Sequence, residues 1–162
     1  MLAKLSAMKK LTLLLMAITL TVGLSCCTGK KNKVLLHRDF PTLSWERFDF
    51  VKDDIEVTKP TPYDLVMDVC FDPSYTYNYF SVVFTVFDSY GNPFRTKDYK
   101  FFLKEKDGSW KSTLVDGYYH FTFPINSALT INEPGIYNFQ LENRMPITPL
   151  YGVKEVSIIN NK

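Results

Sequence analysis

The chain has few cysteines, and their placement excludes more than their number does. Of three in 162 residues, two are adjacent at Cys26 and Cys27, which leaves Cys70 alone. One remaining thiol cannot build an internal disulfide framework, even in an oxidising compartment. Histidine is as scarce, with only His37 and His120. A metal site needs three or four converging ligands at spacings such as His-x-x-x-His, so none is expected. Neither a Gly-x-Ser-x-Gly elbow nor a glycine-rich phosphate loop occurs, which removes the usual signs of acyl and phosphoryl transfer. No cofactor is implied. Charge of one sign is missing too. The formal net charge is +2, but Lys4, Lys9 and Lys10 lie within residues 1–25, which hold no acid. The rest is close to neutral, so there is no case for nucleic acid or a polybasic membrane patch.

Long hydrophobic runs are also absent. Leu11 to Cys27 is uncharged and largely apolar, yet shorter than the ~20 residues a transmembrane helix needs. Lys9 and Lys10 precede it, and it closes on Leu24-Ser25-Cys26-Cys27. Basic start, short apolar core, small residues and a cysteine at the cut describe a bacterial lipoprotein signal peptide. Cys26 is the preferred lipidation site because Ser25 suits the position before cleavage; Cys27, preceded by Cys26, is the alternative. An ordinary secretory signal cut elsewhere is the competing reading. Acylation anchors firmly because each buried methylene contributes ~0.8 kcal/mol. The expected organisation is a signal peptide over 1–25, the lipidated cysteine and a lysine-bearing tether over 26–33, and one domain over 34–162.

What the chain does have is aromatic residues: thirteen Phe, ten Tyr and two Trp. Such side chains favour strands, where they fill a pleated, half-buried surface. Val34 to Val57 reads as one or two short strands, and Lys59-Pro60-Thr61-Pro62 as a connector. Tyr63, Leu65, Met67, Val69 and Phe71 alternate on one face, predicting a strand with a wet side. Tyr75 to Phe87 is the longest predicted strand. Ser89-Tyr90-Gly91-Asn92-Pro93 is a turn, and Asp107-Gly108 marks a hairpin. Tyr118 to Phe123, Ile136 to Glu142 and Gly152 to Ile159 supply further strands, with Ala128 to Ile131 an apolar piece between. Short strands at roughly 8–12-residue spacing predict an all-β domain, a single antiparallel β-sandwich of Ig-like or jelly-roll-like kind.

The C-terminal third carries a resemblance. Pro134-Gly135-Ile136-Tyr137 with its alternating continuation to Glu142, then Arg144-Met145, then Leu150-Tyr151-Gly152-Val153-Lys154-Glu155-Val156 resembles the gliding-motility lipoprotein family GldH of the Bacteroidetes. Tyr75 to Tyr79 with Asn78, and Asp107-Gly108-Ser109-Trp110, are similar to that family's Tyr-x-Tyr-x-Asn and Asp-Gly-Lys-Trp segments. The order of Arg144-Met145 is reversed, and Ser157 replaces a glycine. These are strand and turn landmarks without catalytic content. The resemblance implies a non-catalytic accessory lipoprotein of the gliding and linked secretion apparatus, with envelope proteins as partners. Thr28-Gly29-Lys30-Lys31 is basic where surface-displayed lipoproteins of that group carry acids, which implies a periplasm-facing domain and leaves inner against outer membrane open.

Three groups of residues are candidate sites. Cys70 and His120 would be a nucleophilic pair only within hydrogen-bond reach and with a third orienting group. Asp68 and Asp72 flank the cysteine and raise a thiol pKa, so Cys70 reads as a passive strand residue. Asp53-Asp54 falls in a loop by its pattern, with no second acid placed across a cleft. Tyr75, Tyr77 and Tyr79, at period two, line one strand face if the strand begins there. They are the candidate contacts for a partner protein or, in the alternative reading, for a glycan or peptide. The competing view puts their rings in the core.

Overall fold

The computed structural model describes residues 32–162; the expected signal peptide, Cys26, Cys27 and most of the expected tether lie outside the described residues. Every regular element among the described residues is a strand: β1 (Lys33–Asp39), β2 (Ser44–Trp45), β3 (Val51–Val57), β4 (Thr61–Phe71), β5 (Tyr79–Phe87), β6 (Pro93–Phe102), β7 (Leu114–Val115), β8 (Tyr118–Ile131), β9 (Gly135–Asn143), β10 (Leu150–Tyr151) and β11 (Val153–Asn160). They form a five-stranded sheet in the order β1-β11-β4-β8-β7, a four-stranded sheet β3-β9-β5-β6, and a short ribbon of β10 and β2. All pairings are antiparallel. The expected β-sandwich is what the chain forms.

Alternation builds the core. Tyr63, Leu65, Met67, Val69 and Phe71 of β4 are buried, as are Phe80, Val82, Phe84 and Val86 of β5 and Tyr137, Phe139 and Leu141 of β9. Rings meet across the layers: Phe71 lies 5.2 Å from Phe80 edge-on, and Tyr63 lies 5.5 Å from Phe139. Each such side chain contributes roughly 1.5–3 kcal/mol on burial. The β2–β10 ribbon seats Trp45 against Phe40 and Phe80, and its indole N–H donates to the Asp49 carbonyl at 2.7 Å. Buried Asn143 is satisfied by donating to the Trp45 carbonyl and accepting from the Met145 amide.

Several boundaries differ from the sequence-based expectation. Residues 34–57 hold three strands, and Thr61-Pro62 already belongs to β4, where a proline is tolerated at the start of a strand. Tyr118 to Ile131 is one long strand, and register shifts opposite Tyr63, Leu65 and Val66 absorb its central irregularity around Pro124. The predicted strand from Tyr75 begins only at Tyr79. The Asp72-Pro73-Ser74 turn continues through Tyr75, whose amide donates to the Asp72 carbonyl at 2.9 Å. Asp107-Gly108 does turn the chain, between the bridged residues Lys104 and Trp110. A second Asp-Gly pair, Asp116-Gly117, has positive φ at both residues and joins β7 to β8. That is the type I′ pattern of a two-residue hairpin.

Candidate functional site

On the outer face of the five-stranded sheet, Asp39, Glu155, Cys70 and His120 are register neighbours across β1, β11, β4 and β8. The Cys70 Sγ lies 2.9 Å from His120 Nδ1 and donates to Glu155 Oε1 at 3.3 Å. The sequence did not bring these groups together; the cross-strand register does. A nucleophilic cysteine works as a thiolate, and this environment opposes one. Burial, then the Glu155 carboxylate and Asp68, push the Cys70 thiol up to about 12, against a weaker opposing effect of Lys154. Glu155 touches the sulfur rather than the imidazole, whereas a triad acid orients the base. The pair has the distance of a catalytic dyad and the electrostatics of a protonated thiol. His37 occupies the same face, bonded to Ser157 and Asp39.

The three tyrosines part company. Tyr75 is 1 % exposed, its ring 4.5 Å from that of Phe71 and its hydroxyl donating to the Tyr79 carbonyl at 2.7 Å. Burial drives its phenol pKa upward. Tyr77 is half-buried and meets Tyr75 edge-on at 5.7 Å. Tyr79 is half-buried at the start of β5, on the outer face of the four-stranded sheet and paired in register with Phe102. Lys100 Nζ sits 4.1 Å above the Tyr79 ring and 5.6 Å from that of Phe102, which is 55 % exposed. The surface row of three is therefore replaced by Tyr77 on a loop and a Tyr79–Lys100–Phe102 patch on β5 and β6. The sequence pattern missed this because the partners of Tyr79 come from the next strand.

Aromatic and cationic side chains recur on the other, inward face of β6. Tyr99 stacks on Phe101, Phe101 on Phe123 at 4.1 Å, and Phe123 on Phe121, so a ladder of rings closes the gap between β6 and β8. The Tyr99 hydroxyl donates to the Ile125 carbonyl. Trp110 extends the ladder by stacking on Tyr119, with Lys104 Nζ 4.6 Å from its ring. Lys97 Nζ lies 5.0 Å from Tyr99. Cations over ring faces are attracted by the ring quadrupole.

A second feature lies at the far end of the four-stranded sheet. A shallow cavity of about 680 Å³ is lined by Asp54, Phe87, Asp88, Ile136, Asn138 and Gln140, among others. Asn138 donates to Asp54 at 2.7 Å. The amides of Tyr90 and Asn92 donate to Asp88 and, with Asn92 foremost, hold its carboxyl below the usual range. Asp53-Asp54, placed in a loop by its pattern, instead lies within β3.

These features define an antiparallel β-sandwich whose distinctive surface is an aromatic and cationic edge, with the Cys70 thiol pushed toward its protonated form beside His120. The chain belongs to the GldH lipoprotein family, whose family model matches residues 35–159, from β1 to β11. It is thus a gliding-motility-related lipoprotein, lipid-anchored in the cell envelope. A comparison with curated proteins finds no match.

Proposed function

We propose that this domain is a non-catalytic component of the gliding and linked secretion machinery, tethered through Cys26, or alternatively Cys27, and acting by binding other envelope proteins. Its orientation in this reading is periplasmic, because Lys30 and Lys31 follow the lipidated cysteine closely. The observation that carries the reading is the exposed Tyr79–Lys100–Phe102 patch, with Tyr77 nearby in sequence. Aromatic side chains joined to a cation are the composition of interface anchors. The raised thiol pKa of Cys70 supports the non-catalytic part, since a protonated thiol is a poor nucleophile.

The test is a crosslinked pull-down of the lipidated protein from detergent-solubilised envelopes, read by mass spectrometry. Motility or secretion-channel components are expected, and a Lys100→Glu, Phe102→Ala variant should recover less of them. Recovery of the bait alone overturns the reading. A glycan- or peptide-binding role is the second reading, favoured by the cavity over Asp54, Phe87, Asn138 and Gln140, where amides and a carboxylate surround apolar walls. Saturable binding of a defined saccharide, lost in Asn138→Ala, would select it.

A further inference from the structure

A sandwich has four lateral edges, and three of them here are short, bulged or charged against addition. β7 is two residues long, and beyond it β8 carries Pro124 and register shifts. β1 has a register shift between Val34 and Leu36. β3 exposes Asp53, Asp54 and Glu56. Such devices keep foreign strands from pairing. β6 differs. After Pro93 it runs from Phe94 to Phe102 without proline or glycine, and among the described residues only β5 pairs with it.

The hydrogen-bond parity of that edge can be read off. The Leu103 amide donates to the Asn78 carbonyl, and the Arg144 amide donates to Ser81 on the far side of β5. Residues alternate in an antiparallel ladder. Phe101, Tyr99, Lys97 and Arg95 therefore bond to β5, while the N–H and C=O groups of Thr96, Asp98, Lys100 and Phe102 point away from it. Those groups form a ready template for one more strand.

The groove beside this edge says what that strand would carry. A cavity of about 340 Å³ between β6 and β8 is lined by Arg95, Lys97, Pro124, Ile125, Asn126 and Ala128. Among the described residues, the ion pairs are made by other groups, and neither Arg95 nor Lys97 takes part in one. Further along the same face of β6 come Tyr99 and Phe101, in the ring ladder. Along the strand the face therefore reads cation, cation, aromatic, aromatic at alternate positions.

We propose that the β6 edge accepts an extended acidic segment of a partner protein as an added strand, with two acids opposite Arg95 and Lys97 and two large apolar side chains opposite Tyr99 and Phe101. Main-chain bonds to Thr96, Asp98, Lys100 and Phe102 supply affinity, and the alternate side chains supply selection. The carboxylates meet cations that make no ion pair among the described residues, and the apolar pair extends the aromatic ladder. This assignment rests on the protein-binding reading above and deepens it.

The probe is a fluorescein-labelled nine-residue peptide of alternating threonines, with two phenylalanines followed by two glutamates in the intervening positions. It is titrated by anisotropy against the full chain in detergent. Saturable binding is expected, weakened about tenfold in Arg95→Glu, Lys97→Glu, whose fold is checked by circular dichroism. A peptide with lysines for the glutamates should recover binding to that variant, and N-methylation of alternate threonines should abolish it. The proposal is overturned if the peptide does not bind, if charge reversal has no effect, or if the N-methylated peptide binds equally well. Self-association that competes with the peptide and vanishes in the variant would give the edge to a second copy, and also overturns it. Should motility components still crosslink to the double variant, the protein-binding reading stands and the β6 assignment falls.

Discussion

Cys70 shows how little a residue's identity says before its neighbours are known. Its alternation with Val69 and Phe71 is plain in the sequence, but His120 and Glu155 arrive through pairings of β4 with β8 and β11. The thiol is held near 12 in the fold against an ordinary value of 9.0. A raised folded pKa means that the unfolded chain loses its proton first. The contribution to stability is therefore complete below about pH 9 and is lost as pH rises toward 12. Tyr63, Tyr75 and Tyr99 are shifted in the same direction by burial, so a comparison with Cys70→Ala isolates the cysteine. Urea midpoints should fall more steeply between pH 8 and pH 10.5 in the parent than in Cys70→Ala; parallel slopes would refute the shift. At pH 8, iodoacetamide should modify Cys70 slowly in the native protein and quickly in urea, as followed by peptide mapping.

At the scale of the element, turns decide where strands begin. Gly152, between β10 and β11, has φ +88° and donates its amide to the Leu43 carbonyl at 2.7 Å. Its carbonyl accepts from Asp72, and a Cβ there would meet the Tyr75 backbone at 2.8 Å. The glycine therefore fixes the Tyr75 turn as well as its own. Gly152→Ala must adopt a left-handed conformation and displace a main chain, at a cost of roughly 2–3 kcal/mol. Thermal and urea unfolding should show that loss, whereas Gly108→Ala, with nothing within 4 Å of its Cβ, should lose only the conformational part. Equal losses would mean that contact with Tyr75 does not matter. Asp116-Gly117 was legible as a hairpin signal by the same rule that marked Asp107-Gly108. Its first strand, Leu114–Val115, is too short to alternate, so no strand pattern flanks the signal on that side.

For the whole molecule, the two sheets are joined by a few large rings. Phe71 of β4 touches Tyr75, Phe80 and Phe121, so it links both layers and the turn between β4 and β5. Phe71→Ala should cost about 3–5 kcal/mol, a large fraction of the 5–15 kcal/mol typical of a domain, and a urea midpoint shifted by less would refute its central place. The sequence by itself determined the all-β class, the face of each main strand, most turns and the family. Those follow from local period and local turn chemistry, which need no partner strand. It also placed Tyr75, Tyr77 and Tyr79 on one strand, where local period misled because the Asp72 turn runs on past Tyr75. Only the tertiary structure decided which tyrosine stays at the surface, that Cys70 meets His120, and that β6 is left as an open edge. Each of these depends on which strands lie side by side and in what register, a property of pairs far apart in the chain.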